Sequence, residues 1–174
     1  MLAGPFDYEP GILNNAAKGA FRMVKGNPMS QGTRCHQLAM FVVYDNPMQI
    51  FSGNPSQGML EPKFMELLGS IPTGWDTTVI VDARIGKFIV TARRKGKEWF
   101  IGGMTDSVAR DIVIPLDFLS GGKFASTICY DGVNAARYGG DYVIKEGVLQ
   151  LPAKDGIPVR MEPGGGFLLR LRAE

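Results

Sequence analysis

Hydrophobic and polar positions follow two different patterns along this chain of 174 residues. Up to about residue 75, apolar residues occur in irregular groups that Gly–Pro and Asn–Pro pairs interrupt. Beyond that point they alternate with polar residues at a period of two, which is typical of β-strands. The change of pattern predicts a domain boundary near residues 72–78.

The first region predicts two helices. One covers 33–44, because Thr33 is a suitable N-cap and Pro47 follows soon after the last apolar residues. Its apolar positions cover most of the circumference, so we expect it to pack between other elements. The second helix covers Pro62–Gly69, and Met48–Phe51 between them is predicted as a short buried strand. Together they make an α/β pattern of about one and a half units.

The second region predicts eight or nine short strands separated by Gly, Asp and Asn turns, which indicates an antiparallel β-sandwich. The whole chain is therefore expected to be α+β. The predicted strands are Val79–Asp82, Lys87–Arg94, Glu98–Met104, Arg110–Leu116, Phe124–Tyr130, Tyr142–Lys145, Val148–Pro152, Pro158–Met161 and Phe167–Arg172.

Composition and charge exclude several classes of protein. With 19 basic and 17 acidic residues the net charge is only +2, so we expect no nucleic-acid partner. No apolar run approaches the roughly 20 residues of a membrane-spanning helix, and the N-terminus lacks the pattern of a signal peptide. Cys35 and Cys129 are too few for a disulfide scaffold. The 23 glycines and 11 prolines indicate many tight turns.

Several motifs that suggest chemistry have simpler structural interpretations. His36 is the only histidine, and we interpret it as a packed or partly exposed helix residue rather than a catalytic base. Gly164–Gly166 resembles a phosphate loop, but a strand follows it instead of a helix, so a tight crossover is favoured. Gly102–Gly103 predicts a bulge or a close approach of another chain segment.

Four residues are candidates for contact with a sugar. Asp7 and Tyr8 lie in a loop of aromatic and acidic residues, where rings could stack on a sugar face. Trp75 and Asp76 lie at the predicted junction between the regions and could form the rim of a site. Turn formation and packing would explain all four equally well. No residue is assigned as catalytic or as a metal ligand.

A series of motifs resembles the C-terminal end of glycoside hydrolase family 97. No single motif decides the matter, but their order and spacing extend over nearly the whole chain. The matching stretches are Met1–Gly11 (MLAGPFDYEPG), Gln37–Tyr44 (QLAMFVVY), Pro47–Ile50 (PMQI), Ile71–Thr77 (IPTGWDT), Ile85–Phe88 (IGKF), Ala92–Arg94 (ARR), Trp99–Thr105 (WFIGGMT), Asp131–Gly132 and Pro163–Phe167 (PGGGF).

This resemblance implies a bacterial α-glucosidase or α-galactosidase with a central (β/α)₈ barrel and a terminal β-sandwich. Residues 1–75 would then be the C-terminal remnant of the barrel, and residues 76–174 the sandwich, a possible oligomerisation domain. The family's catalytic glutamates and calcium-binding glutamates would lie upstream of this chain, which we therefore expect to be an inactive fragment without a cofactor. The family is typically exported to the periplasm of Gram-negative bacteria.

The expected partners are a second copy of the chain and an α-glycoside or oligosaccharide. Helices of an incomplete barrel would expose apolar faces, and such faces favour a homo-oligomer. Two alternatives remain open. One is a stand-alone carbohydrate-binding sandwich that uses Trp99, Tyr130, Tyr138 or Tyr142, and the other is an autonomous hydrolase that uses Asp7 and Asp76.

Overall fold

The computed structural model describes residues 5, 7–152 and 155–174, and their fold is mostly antiparallel sheet with a few helices. The helices are α1 (Arg34–Val43), α2 (Pro55–Met59) and α3 (Pro62–Gly69). The strands are β1 (Asn15–Ala16), β2 (Ser30–Gln31), β3 (Thr77–Arg84), β4 (Phe88–Lys95), β5 (Glu98–Thr105), β6 (Arg110–Ile114), β7 (Gly122–Asp131), β8 (Tyr142–Leu151), β9 (Ile157–Met161) and β10 (Gly166–Ala173).

Six of the strands form one sheet in the order β3-β4-β5-β10-β7-β8, with every pair antiparallel. The C-terminal strand β10 therefore lies near the centre of the sheet. Its residues Phe167, Leu168, Leu169 and Leu171 are fully buried because both faces of the sheet are covered. The pair β6–β9 covers one face and completes a β-sandwich, and the helices cover the other face.

Helix α1 begins and ends where its sequence predicts. The Thr33 side chain accepts a hydrogen bond from the backbone N–H of His36, and Tyr44 is the C-cap. Eight of its ten residues are buried, and the helix packs against β5 and β10. The prediction of a helix packed between other elements is confirmed. The expectation that this helix exposes an apolar face is wrong, because the sheet covers it.

Gly102 on β5 lets α1 lie close to the sheet, and Gly103 makes room for a ring of the neighbouring strand. A Cβ atom at Gly102 would be 3.0 Å from the Cβ of Val42 and 3.1 Å from the carbonyl oxygen of Ala39. A Cβ atom at Gly103 would overlap the ring of Phe167. The prediction of a close approach at Gly102–Gly103 is confirmed, although the pair lies inside the strand and not at its end.

Two local predictions are wrong. Met48–Phe51 forms neither a strand nor a buried segment; Met48 is 62% and Ile50 49% exposed, because no strand of the described chain pairs with them. The stretches 142–145 and 148–152 were predicted as two strands but form the single strand β8, since Gly147 pairs in register with Ser126.

The remaining predicted strands are present with ends shifted by a few residues. Among the described residues, no helix is long and apolar enough to cross a membrane.

Candidate functional site: the contact between the helices and the sheet

Arg34, in the first turn of α1, joins the N-terminal segment, α3 and the sheet. It is 4% exposed, and its guanidinium donates hydrogen bonds to the Leu13 carbonyl oxygen at 2.7 Å and to Asn15 Oδ1 at 3.3 Å. It also forms an ion pair with Glu61 at 2.5 Å. The guanidinium lies 5.4 Å from the ring centre of Tyr142 on β8. One buried cation thus holds three parts of the chain together.

Glu61 completes this network from the residue before α3. Its second carboxylate oxygen accepts a hydrogen bond of 2.6 Å from the hydroxyl of Tyr142. Burial, and then the bond to Glu61, raise the pKa of Tyr142 above its ordinary value, so the phenol stays a donor. The Tyr142 ring also packs on Phe64 of α3 at 5.4 Å between centroids. Sequence reasoning missed this network, because Arg34 and Glu61 look like solvated helix-end charges.

Asp131, at the end of β7, holds the turn that leads into β10. Its Oδ2 atom accepts hydrogen bonds from the backbone N–H of Glu162 at 2.9 Å and of Gly166 at 3.0 Å. Burial raises the pKa of this carboxyl from 3.8 to about 6, against the opposing effect of the Thr33 hydroxyl and these N–H groups.

The crossover at Gly164–Gly166 predicted from sequence is confirmed. Gly164 has φ of 66°, and its carbonyl oxygen accepts a hydrogen bond from the N–H of Thr33 at 2.9 Å. Nδ1 of His36 lies 3.0 Å from the carbonyl oxygen of Gly165. Burial lowers the pKa of His36, which favours its neutral form. The histidine is thus a packing residue of α1 beside the turn.

Cys35 and Cys129 meet where α1 crosses the sheet. Their sulfur atoms are 3.7 Å apart and fully buried, and both thiols are free. Burial, followed by the hydrogen bond to Cys129, raises the pKa of the Cys35 thiol. Protonated, enclosed thiols of this kind are packing residues and not nucleophiles.

The loop that carries the first two candidate residues is described from residue 7 onward and at residue 5; Gly4 and Phe6 lie outside the described residues. Asp7 is exposed. The ring of Tyr8 packs edge-on against Tyr44 at 5.0 Å and Phe41 at 6.3 Å, and its hydroxyl donates to the Met40 carbonyl oxygen at 3.4 Å. Burial raises the pKa of Tyr8. Packing on α1 accounts for these contacts of the Tyr8 ring.

Trp75 and Asp76 have separate structural partners. The Trp75 ring packs edge-on against Phe100 at 5.6 Å, and the guanidinium of Arg93 lies 5.8 Å from its centre. Asp76 accepts hydrogen bonds from the N–H of Gly96 at 2.7 Å and from Lys95 at 3.2 Å. The Gly96 N–H, then Lys95, lower the pKa of Asp76, so it stays ionised at the hairpin turn.

The described part of the chain has two surface grooves that none of the four candidate residues lines. One, of about 530 Å³, lies between β7, β8 and β9, and the other, of about 450 Å³, lies beside His36, Asp106 and Gly164. The residues described here also contain no group of three His, Cys, Asp or Glu side chains that could hold a metal ion.

The aromatic residues suggested for a carbohydrate-binding module are mostly engaged in packing. Trp99 packs on Phe118 at 5.2 Å, and Lys145 lies 5.5 Å from the ring centre of Tyr130. Tyr142 belongs to the Glu61 network, whereas the Tyr138 side chain is 63% exposed. A stand-alone binding module is not favoured.

The described fold is an antiparallel β-sandwich with helices packed on the outer face of its larger sheet. Residues 74–172 match the family model described as "Glycosyl-hydrolase 97 C-terminal, oligomerisation". The chain belongs to glycoside hydrolase family 97. The resemblance read from the sequence is thereby confirmed, whereas the division into 1–75 and 76–174 stays a prediction.

Relatives and solved structures agree with this assignment. The chain is 43% identical over 173 residues to a retaining alpha-galactosidase of Bacteroides thetaiotaomicron. This match covers 99% of the chain and 26% of that protein. It is 30% identical over 120 residues to a probable retaining alpha-galactosidase of Streptomyces bingchenggensis, covering 69% of the chain and 17% of that protein. A family 97 enzyme from Pseudoalteromonas sp. strain K8, solved in complex with acarbose, superposes with a TM-score of 0.83 at 32% identity, covering 99% of the chain and 27% of that structure.

Proposed function

We propose that this chain is the C-terminal part of a family 97 α-galactosidase, that it supports the catalytic barrel and mediates homo-oligomerisation, and that it does not hydrolyse glycosides alone. The observation that carries the proposal is the ion pair and hydrogen bond by which Arg34, Glu61 and Tyr142 join the helices to the sheet. A sandwich built only to bind sugar would need no buried ion pair to the preceding helical segment.

The galactoside specificity rests on the names of the two relatives, both alpha-galactosidases, which the chain matches over 26% and 17% of their lengths. A third member of the family was solved in complex with acarbose, and an α-glucoside is therefore the second substrate to test. Catalytic and calcium-binding glutamates belong to the rest of the enzyme in this proposal. Export of that enzyme to the periplasm is part of the same proposal, as is weak sugar contact by Asp7, Tyr8, Trp75 and Asp76.

Hydrolysis of aryl α-galactoside and aryl α-glucoside by this chain, with and without calcium, tests the proposal. We expect no turnover in any of the four assays, because Asp76 is held at a hairpin turn by the N–H of Gly96 and neither Asp7 nor Asp76 lines one of the two described grooves. The matched control is Asp7→Asn, which should be equally inactive. Calcium-dependent turnover that Asp7→Asn abolishes would refute the proposal and establish the autonomous-hydrolase alternative.

A further inference from the structure

The strands β3 and β8 form the two edges of the six-stranded sheet. In the described part of the chain, no strand pairs with the outer side of either one. An edge strand presents unpaired backbone N–H and C=O groups that can pair with another chain. Proteins that must avoid such pairing place charges, prolines or bulges along the edge. Comparing the two edges therefore shows which one is built for contact.

The edge at β8 carries features that oppose pairing. Lys145, Glu146 and Gly147 occupy the middle of the strand, and all three are exposed. Charges in the centre of an edge strand discourage a second sheet from docking. Glycine there weakens the strand and offers no side chain to a partner. This edge is protected.

The edge at β3 begins with the opposite composition. Thr77–Val81 reads Thr-Thr-Val-Ile-Val, five β-branched residues with no charge, glycine or proline. Val79 and Val81 pack towards the core of the sandwich, which fixes the backbone of the strand. Ile80 points to the other side and is 57% exposed. The strand is thus rigid, strongly β-forming and open along its outer edge.

A β-bulge between Ile80 and Asp82 marks where this open edge stops. Bulges bend a strand and interrupt regular pairing. The first charged residue of the strand, Asp82, comes directly after it. The segment available for pairing is therefore short and begins at Thr77.

We propose that β3 pairs antiparallel with β3 of a second copy of this chain, so that two six-stranded sheets join into one across a two-fold axis at Val79. This inference rests on the proposed oligomerisation and names the surface that performs it. The second copy is the occupant because the matched region, 74–172, carries the description of oligomerisation and contains β3. The segment Thr77–Val81 carries no charge and is therefore complementary to itself, and an isologous contact needs only one such patch.

The axis at Val79 places Ile80 of one copy directly opposite Thr78 of the other, on the helix-bearing side of the sheet. Both residues are exposed in the single chain, so substitutions there leave its core intact. Like charges at directly opposite positions destabilise an antiparallel pair. The double variant Thr78→Lys/Ile80→Lys would create two such repulsions across the axis.

Sedimentation velocity of the whole chain over a range of concentrations is the test. We expect the wild type to dimerise and Thr78→Lys/Ile80→Lys to raise the dimer dissociation constant at least tenfold. The matched control is Val148→Lys/Gln150→Lys on β8, which adds the same two charges at exposed positions of the other edge. It should leave the dissociation constant unchanged within about twofold.

The outcomes separate the inference from the proposed function. If the β3 variant dimerises like the wild type, the inference fails and oligomerisation stands. If the wild type itself stays a monomer, both fail. Should the β3 variant not fold, amide hydrogen exchange on the wild type decides. Slower exchange of β3 amides at high protein concentration, with β8 unchanged, supports the inference, and slower exchange at β8 alone overturns it.

Discussion

Arg34 is held by hydrogen bonds, by an aromatic ring and by an ion pair in which Glu61 provides the neutralising charge. The substitution Glu61→Gln would leave the buried guanidinium of Arg34 without a counter-charge. Breaking a buried pair from one side costs about 3–5 kcal/mol. Because the Glu61 side chain is 30% exposed, we expect a loss of about 2–3 kcal/mol in the free energy of unfolding, measured with urea.

The control for this variant is Asp111→Asn. Asp111 pairs with Arg160 on the surface, where both side chains are more than half exposed. Exposed pairs contribute about 0–1 kcal/mol, so the control should lose less than about 1 kcal/mol. Equal losses for the two variants would show that the Arg34 network does not tie the helices to the sheet.

Asp131 makes stability depend on pH in a defined direction. Its folded pKa of about 6 lies above the ordinary value of 3.8, because burial disfavours the ionised carboxylate. The protonated form thus stabilises the fold below about pH 4, and that contribution is lost as the pH rises through about 6. Asp131→Asn does not titrate at this position. The stability of the wild type relative to the variant should therefore fall between pH 4 and pH 7.

Urea unfolding of both proteins at several pH values checks this prediction. Effects of His36 and of other titrating groups largely cancel in the difference between the two proteins, since they are common to both. A difference that stays constant from pH 4 to pH 7, or one that grows in favour of the wild type, would contradict the raised pKa of Asp131.

Single-residue roles were the least predictable part of the molecule. Asp7 and Asp76 were chosen because acids near aromatic rings are typical of sugar sites, yet Asp76 caps a hairpin. Arg34 and Glu61 are 27 residues apart in sequence, and only the fold makes them partners. The sequence contained one indirect signal of this partnership, an arginine in the first turn of an otherwise apolar helix.

Gly102 tests the element-scale claim that α1 lies directly on β5. In Gly102→Ala the new methyl group would be pressed between Val42 and Ala39, so the helix or the strand must move. Overpacking of this kind costs about 1–3 kcal/mol. The matched control is Gly147→Ala on β8, where the nearest atom, Ser126 Oγ, is an ordinary 3.5 Å away.

Thermal or urea unfolding distinguishes the two alanine variants. Gly147→Ala should be neutral or slightly stabilising, because alanine loses less conformational entropy than glycine on folding. Gly102→Ala should be clearly less stable. If the two variants are equally stable, the close packing of α1 on β5 does not hold the helix in place.

Elements with strong local signals were predicted well. The Thr33 cap fixed the start of α1, and alternation with glycine turns located the strands of the sandwich. The prediction of a strand at Met48–Phe51 failed because a short, mostly apolar run does not show whether a partner strand exists. Helix α2 was not predicted, because Asn54–Pro55 is one of the Asn–Pro pairs that interrupt the apolar groups, although both residue types also begin helices.

At the scale of the whole molecule, the change of sequence pattern near Trp75 does not separate two independent cores. Leu38 and Phe41 from α1 share one buried cluster with Phe100 and Leu168 from the sheet. Burial of α1 also changes the reason for expecting an oligomer. The sheet already covers the helix face, and the surface proposed for the contact is instead the uncharged segment Thr77–Val81 on the edge strand β3.

The central claim is that this part of a family 97 enzyme assembles with itself. Multi-angle light scattering of the purified chain across a range of concentrations tests the claim most directly. We predict a molar mass of at least twice the 18.9 kDa of a single chain, falling towards that value only on dilution. A single species of 18.9 kDa at every concentration would contradict the account.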